Sequence, residues 1–169
     1  MFESCVIGVD PGMSALGLAA IGRRNRQPVL LFAETVRTPS GLAEPLRLRL
    51  VHEAVRDAIR AYRPESIGIE RIAWNTNQAS AMAVARATGV VLLAAAMEDV
   101  PVAEYGPLEV KMAITGQGNA SKNQVREALM RFHRLADVPN EPDAVDAAAI
   151  ALCHLTESRV RRAAEVAVP

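Results

Sequence analysis

The fold of this chain is decided by residues 4–10, Ser4-Cys5-Val6-Ile7-Gly8-Val9-Asp10. The run is apolar up to its final acid, which is typical of a central strand that is covered on both faces of a sheet. Residues 66–70, Ser66-Ile67-Gly68-Ile69-Glu70, repeat the pattern. If these two strands are parallel neighbours, Asp10 and Glu70 reach the same edge of the sheet, where open α/β folds place their sites.

Strand and helix patterns alternate along the rest of the chain. Two further strands, at 15–22 and 28–37, follow the first as a meander joined by turns of glycine, proline and polar residues. Apolar residues at helical spacing from 42 to 59 predict a helix that ends before Pro64. The remaining predicted elements are helices at 78–97, 107–114, 121–133 and 142–157 and a strand at 102–105. The pattern predicts an α/β fold with a mixed five-stranded sheet, a three-stranded meander plus two parallel strands, and helices on both faces.

Length and composition predict one domain. With 169 residues, half of them apolar, the chain can bury a complete core, and we expect a single domain over 1–160 with a flexible tail over 161–169. Cys5 and Cys153 lie in apolar runs and are predicted to be reduced core thiols. The sequence begins without a targeting pattern and has no run long enough to span a bilayer, so we predict a cytoplasmic protein without a membrane partner.

Two acids open the last predicted helix. Asp143 and Asp146 are three residues apart, so they project from one face of the first turn, where the helix dipole stabilises negative charge. Taken alone, Asp143 could equally be a helix cap. The interpretation changes when Asp10 and Glu70 are added, because four like charges at one place would be forced to protonate unless cations bind between them.

Carboxylate oxygens of this kind select magnesium or manganese. Two such ions would clamp a scissile phosphate, activating water on one side and stabilising the leaving oxygen on the other. The acids therefore predict a metal-dependent phosphodiesterase, with Asp10 bridging the ions and Glu70 on the water side. A formal net charge of zero is compatible with a nucleic-acid substrate, because the acids would hold metal while separate bases, including the two lysines Lys111 and Lys122, would hold phosphate.

Four motifs together resemble the RuvC-type Holliday junction resolvases of the ribonuclease H and integrase superfamily. They occur in the family's order and at its spacing over nearly the whole chain. The motifs are Gly8-Val9-Asp10-Pro11-Gly12, Ile69-Glu70 followed by Asn77, the run from Gly116 to Val125, and the run from Asp143 to Ala151.

The resemblance implies a ribonuclease H-like homodimeric endonuclease that nicks a four-way DNA junction symmetrically in recombination and repair. It also implies two magnesium or manganese ions per active site and cooperation with the RuvA and RuvB branch-migration proteins. Carried over by position, the catalytic and metal-binding acids are Asp10, Glu70, Asp143 and Asp146. Lys122 is implied as a catalytic and DNA-binding base, and the other implied DNA-binding residues are Lys111, Gly116, Gly118, Asn75 and Asn77.

One position departs from the family. Where the family commonly has phenylalanine three residues after the catalytic glutamate, this chain has Ala73, followed by its only tryptophan, Trp74. An aromatic ring there is implied to stack on bases opened at the crossover, and stacking tolerates any ring of suitable size. We therefore predict that Trp74 substitutes for the missing ring, the alternative being a tryptophan that packs on the loop or the dimer surface.

The helix at 78–97 is rich in alanine, with Ala79, Ala81, Ala83, Ala85 and Ala87 allowing a second helix to approach closely. We predict that it contributes to a two-fold dimer interface, since a symmetric substrate with two cuts requires symmetric subunits. The alternative is a helix buried within the domain. The three histidines, His52, His133 and His154, lie outside the motifs and are assigned no chemistry.

Three other functions remain open from the sequence. A related nuclease could process RNA, although the ribosomal-RNA maturation nucleases that resemble RuvC lack the full pattern found at 116–124. The turn at 10–14 also resembles the phosphate loop of actin-like ATPases, although the chain is too short for their second lobe. A junction-binding protein without catalysis is the remaining alternative.

Overall fold

The computed structural model describes residues 2–71 and 78–166. Within these ranges the chain forms a five-stranded sheet in the order β3-β2-β1-β4-β5 with helices on both faces. The strands are β1 (Ser4–Asp10), β2 (Ala15–Arg24), β3 (Gln27–Arg37), β4 (Ser66–Glu70) and β5 (Val102–Tyr105). The helices are α1 (Glu44–Tyr62), α2 (Gln78–Met97), α3 (Pro107–Thr115), α4 (Lys122–Arg131) and α5 (Pro142–Val166).

The pairing of the strands confirms the predicted mixed sheet. β1 is central, antiparallel to β2 and parallel to β4, while β3 and β5 form the two edges. Val9 pairs with Ile69 across the parallel ladder, so the next residues, Asp10 and Glu70, leave the same edge side by side. This juxtaposition is the one that the two apolar runs predicted.

Several element boundaries differ from the prediction. The polar stretch after Ile21 was expected to be a loop, but β2 continues to Arg24 and β3 begins at Gln27. Asn25 and Arg26 both have positive φ, at 51° and 65°, which is the geometry of a two-residue hairpin turn whose twist matches the strands. α5 runs past its predicted end at 157 as far as Val166, through residues that favour helix.

The sheet is buried on both faces, as the apolar strands predicted. Along β1, Val6 faces a core cluster with α3, α4 and α5, whereas Ile7 and Val9 face a second cluster with α1 and α2. All three are at most 1% exposed. Burying side chains on both sides of one strand is what fixes the register of its neighbours.

α5 packs directly against the sheet where glycines face it from three strands. A Cβ at Gly8 would overlap the backbone of Ala147 and Ala151, and one at Gly17 would overlap the carbonyl of Asp143. A Cβ at Gly68 would lie 2.8 Å from the Cβ of His154. We call Gly8, Gly17 and Gly68 the glycine seam; because a side chain at any of them would push α5 outward, the seam sets how near the start of α5 comes to Asp10.

Cys5 and Cys153 are both buried free thiols, as predicted. Burial raises the pKa of Cys5 to about 11 and that of Cys153 to about 12, so neither is a reactive thiolate. None of the helices in the described ranges is both long and apolar enough to cross a membrane.

Candidate active site

Three elements deliver the predicted acids to one edge of the sheet. Asp10 and Glu70 end the neighbouring parallel strands β1 and β4, and the first turn of α5 carries Asp143 and Asp146. The residues that line the resulting cleft are Asp10, Glu70, Pro107, Val110, Lys111, Lys122, Val125, Asp146, Ala149 and Ile150. Asp143 does not line this cleft, although its charge acts on Asp10.

The acids perturb one another strongly. Burial first, and then the charges of Glu70, Asp146 and Asp143 in that order, together raise the pKa of Asp10 to about 7, while the charge of Lys122 lowers it. Burial, followed by the charge of Asp146, also raises the pKa of Glu70, although hydrogen bonding with Asp10 and the charges of Lys122 and Lys111 lower it. The ionised forms of these two acids are therefore disfavoured in the cluster, and added positive charge would stabilise them.

Lys122 contacts this cluster directly. Its Nζ donates to Asp146 Oδ2 at 2.6 Å, and this bond is the main reason that the pKa of Lys122 is raised. α4 begins at Lys122 because Ser121 caps it: the backbone N–H of Gln124 donates to Ser121 Oγ, and that of Ser121 donates to Gln124 Oε1. The capped helix start therefore aims the ammonium group at the acids.

Lys111, on α3, lines the same cleft and lowers the pKa of Glu70 by its charge. Gly116 ends α3 in the left-handed conformation, with a φ of 73° and its N–H donating to the carbonyl of Met112. The left-handed conformation favours glycine, so the glycine at position 116 is explained without a contact to DNA. The short segment from Gly116 to Ser121 then leads to Lys122, which also lines the cleft.

The predicted contacts of Trp74, Asn75 and Asn77 lie outside the described residues, as does Ala73. The stacking role of Trp74 therefore stays a prediction.

The donor set fits a hard divalent cation by its chemistry. Within the described ranges no three acidic, histidine or cysteine side chains are grouped closely enough to enclose an ion as they stand. Asp10, Glu70 and Asp146 nevertheless line one cleft and offer only carboxylate oxygens, the ligands that magnesium and manganese prefer. A bound cation would also stabilise the ionised form of Asp10, which burial and the neighbouring acids disfavour.

A buried polar network that the sequence did not reveal ties α5 to the sheet behind the cleft. His154, 4% exposed, has its Nδ1 2.7 Å from Tyr105 Oη on β5 and its Nε2 2.7 Å from Ser66 Oγ on β4. Both ring nitrogens are thus used in linking three elements. A single histidine in an apolar helix carries no signal of its partners, because they come from strands about 50 and 90 residues away along the chain.

A family model described as "Crossover junction endodeoxyribonuclease RuvC" matches residues 6–154. The chain belongs to the RuvC family. A RuvC of Brevibacillus brevis is 37% identical over 149 residues, which cover 88% of this chain and 90% of that relative. A RuvC of Mycolicibacterium vanbaalenii is 43% identical over 150 residues, which cover 88% of this chain and 77% of that relative.

The RuvC fold is also found among solved structures. That of Thermus thermophilus RuvC in complex with a Holliday junction substrate superimposes with a TM-score of 0.87 at 32% identity, covering 94% of this chain and 97% of that one. The resemblance drawn from the four motifs is therefore confirmed, as is the predicted α/β architecture.

Proposed function

We propose that this chain is a crossover junction endodeoxyribonuclease that resolves four-way DNA junctions by paired nicks in recombination and repair. The observation that carries the proposal is the cleft at the carboxyl edge of β1 and β4, where Asp10, Glu70 and Asp146 meet Lys111 and Lys122. Membership of the RuvC family and the match to a RuvC bound to a Holliday junction support the choice of substrate.

Asp10, Glu70, Asp143 and Asp146 would hold magnesium or manganese, two ions per active site. When bound, the ions would supply a hydroxide nucleophile and stabilise the leaving 3′ oxygen. Asp10 comes from the central strand and is acted on by the charges of Glu70, Asp146 and Asp143, which supports a role as the shared ligand. Lys122 and the start of α4 would orient the scissile phosphate, because an ammonium group and helix N–H groups both favour an anion there.

The remaining DNA contacts are proposed from position. Lys111, on the wall of the cleft, would hold a neighbouring phosphate, and the turn that contains Gly116 and Gly118 would let the DNA backbone come close. Trp74, with Asn75 and Asn77, would contact bases opened at the crossover.

The test is cleavage of a synthetic four-way junction compared with linear duplex DNA, single-stranded DNA and structured RNA, with magnesium and manganese supplied in turn. We expect paired nicks in the junction that require a divalent ion and weak or no cutting of the other substrates. Preferential cutting of RNA would favour a processing nuclease, and junction binding without cutting would favour a non-catalytic protein.

A change at Lys122 separates catalysis from binding. In Lys122→Met we expect nicking to fall about a hundredfold, since the cation beside Asp146 is lost, while junction affinity changes only about threefold because many phosphate contacts remain. Single-turnover nicking and gel-shift titration measure the two quantities. Lys122→Arg, which keeps the charge, should recover part of the rate; an unchanged rate in Lys122→Met would remove the lysine from the mechanism.

The family's homodimer is proposed to form through α2, which has an exposed apolar stripe. Met82, Leu93 and Met97 are 55%, 56% and 65% exposed, and small residues lie along the same side at Ala85, Gly89 and Ala96. The opposite side is buried against α1 and the sheet, and Ala87 belongs to that inner side. A salt bridge joins Glu44 of α1 to Arg86 of α2, and another joins Arg60 of α1 to Glu98, directly after α2.

We expect Leu93→Asp to convert the dimer to a monomer, because a charge in an apolar helix contact cannot be solvated. Sedimentation velocity at working concentration measures the change. Phe132→Asp is the matched control, since Phe132 is also exposed, at 77%, but lies outside α2. A wild-type chain that sediments as a monomer, or a Leu93→Asp variant that stays dimeric, would contradict this interface.

Cooperation with RuvA and RuvB is proposed because the chain belongs to the RuvC family. We expect these proteins to stimulate junction nicking when added together. The single domain over 1–160, the tail over 161–169 and the cytoplasmic location stay predictions.

A further inference from the structure

The turn that follows Asp10 is held by contacts from outside its own strands. Residues 11–14 join Asp10 to β2, with Pro11 and Met13 buried. The carbonyl of Met13 accepts a hydrogen bond from the hydroxyl of Thr38, and the carbonyl of Ser14 accepts one from the Thr38 N–H at 3.1 Å. Thr38, just after β3, is itself 5% exposed, so it forms a buried link between the turn and the edge strand.

Arg47, in the first part of α1, donates hydrogen bonds both to the turn at residues 11–14 and to Thr38. Its Nε donates to Thr38 Oγ1 at 2.9 Å, and its Nη2 donates to the carbonyl of Met13 at 3.1 Å and to Ser14 Oγ at 3.0 Å. The planar guanidinium suits this arrangement because its donors are fixed in a fork, which lysine cannot reproduce. Hydrogen bonds from a charged donor are also stronger than neutral ones.

We propose that Arg47 is a positioning residue for the nicking reaction, holding the turn at residues 11–14 so that Asp10 stays at the acid cluster. This inference rests on the proposed function. Arg47 works through the backbone, since the charges that shift the pKa of Asp10 come from Glu70, Asp146, Asp143 and Lys122. The sequence motifs did not assign a catalytic role to any residue of α1.

A brace is needed here because the cluster tends to push itself apart. Asp10 is acted on by the charges of three other acids. It also precedes a turn, residues 11–14, that takes no part in the pairing of β1 with β2. If the turn relaxes, Asp10 can swing away from Glu70 and Asp146, which lowers the affinity of the cluster for a cation. Loss of a group that orients a metal ligand typically costs about 10- to 100-fold in metal affinity or activity.

The experiment compares Arg47→Met, Arg47→Lys and Thr38→Val with the control Arg49→Met. Arg49 lies on the same helix but is exposed, and it forms a surface ion pair with Glu53 at 3.7 Å. Three quantities are measured on the full chain: the rise in melting temperature with added MnCl2, junction affinity in EDTA, and the nicking rate. The manganese shift reports ion binding without requiring turnover.

In Arg47→Met we expect the MnCl2 concentration needed for a given melting shift to rise about tenfold or more, and nicking to fall about 10- to 100-fold. Junction affinity in EDTA should stay within about twofold of wild type. Thr38→Val should show a smaller loss of the same kind, and Arg47→Lys an intermediate one, while Arg49→Met behaves as wild type.

A normal manganese shift and nicking rate in Arg47→Met would overturn the inference. So would a loss of junction affinity in EDTA with a normal manganese shift, because that result makes Arg47 a phosphate contact. If Arg47→Met does not fold, Arg47→Lys and Thr38→Val decide by the same criteria. Asp10→Asn distinguishes failure of the positioning role from failure of the proposed function. A normal manganese shift and nicking rate in Asp10→Asn would refute the proposed function itself. Normal behaviour of Arg47→Met alone would refute only the positioning role.

Discussion

Asp10→Asn should abolish nicking and at the same time stabilise the metal-free protein. Asparagine keeps the shape of aspartate but removes a charge that is disfavoured there, because burial and the charges of three other acids raise the pKa of Asp10. Loss of a shared ligand removes several kcal/mol of transition-state stabilisation, so we expect the nicking rate to fall about a thousandfold or more. Junction affinity in EDTA should remain close to that of the wild type.

The gain in stability should depend on pH. The pKa of Asp10 is about 7 in the fold and 3.8 ordinarily, so between these values the folded state holds more protons than the unfolded state. The free energy of unfolding of the metal-free wild type therefore falls as pH rises across this window and levels off above it. In Asp10→Asn most of this fall should disappear, giving a variant about 1–3 kcal/mol more stable at pH 8.

Urea unfolding in EDTA at several pH values measures this effect. Asp57→Asn is the control, because Asp57 is exposed on α1 and forms a surface ion pair with the neighbouring Arg56, so its replacement should have little effect at any pH. Undiminished nicking by Asp10→Asn would remove the proposed mechanism. A variant that is less stable than wild type at pH 8 would show that burial and repulsion do not disfavour the ionised form of Asp10 in the fold.

Gly8→Val should disrupt both the fold and the site. The new side chain would overlap the backbone of Ala147 and Ala151, so α5 must move away from the central strand or the strand must distort. Overpacking against backbone cannot be relieved by a rotamer change, and we expect a loss of about 3 kcal/mol or more in the free energy of unfolding. Because α5 carries Asp143 and Asp146, nicking should fall even in the fraction that stays folded.

Urea denaturation and the nicking rate per folded molecule measure these two effects. Gly41→Val is the matched control, since a Cβ at Gly41 meets nothing within 4 Å. It should stay within about 0.5 kcal/mol of wild type and nick normally. A Gly8→Val variant with wild-type stability would mean that the glycine seam does not set the position of α5.

Much of the fold could be predicted because its signals are local. The strand that ends at Asp10 and the strand that ends at Glu70 both stand out as apolar runs, and burial on both faces follows from that composition. The tight two-residue turn between β2 and β3 was not predicted, because Asn25 and Arg26 adopt positive-φ conformations that the polar composition of this stretch does not indicate.

The candidate site was predicted less completely. The acids and lysines were found from motifs, and the structure brings Asp10, Glu70, Asp146, Lys111 and Lys122 to one cleft. Arg47 and His154 were missed, since each acts through partners that are distant along the chain and only the folded contacts reveal them. Single residues of common types give no periodic or spacing signal.

The sequence by itself determined the strand and helix order, the buried central strands and the types of residue available for chemistry, because these depend on local composition and short-range periodicity. Only the tertiary structure decided how close α5 comes to the sheet, which lysine meets which acid, and which residues hold the turn after Asp10. These features depend on contacts between distant segments, whose geometry is set when the whole core packs.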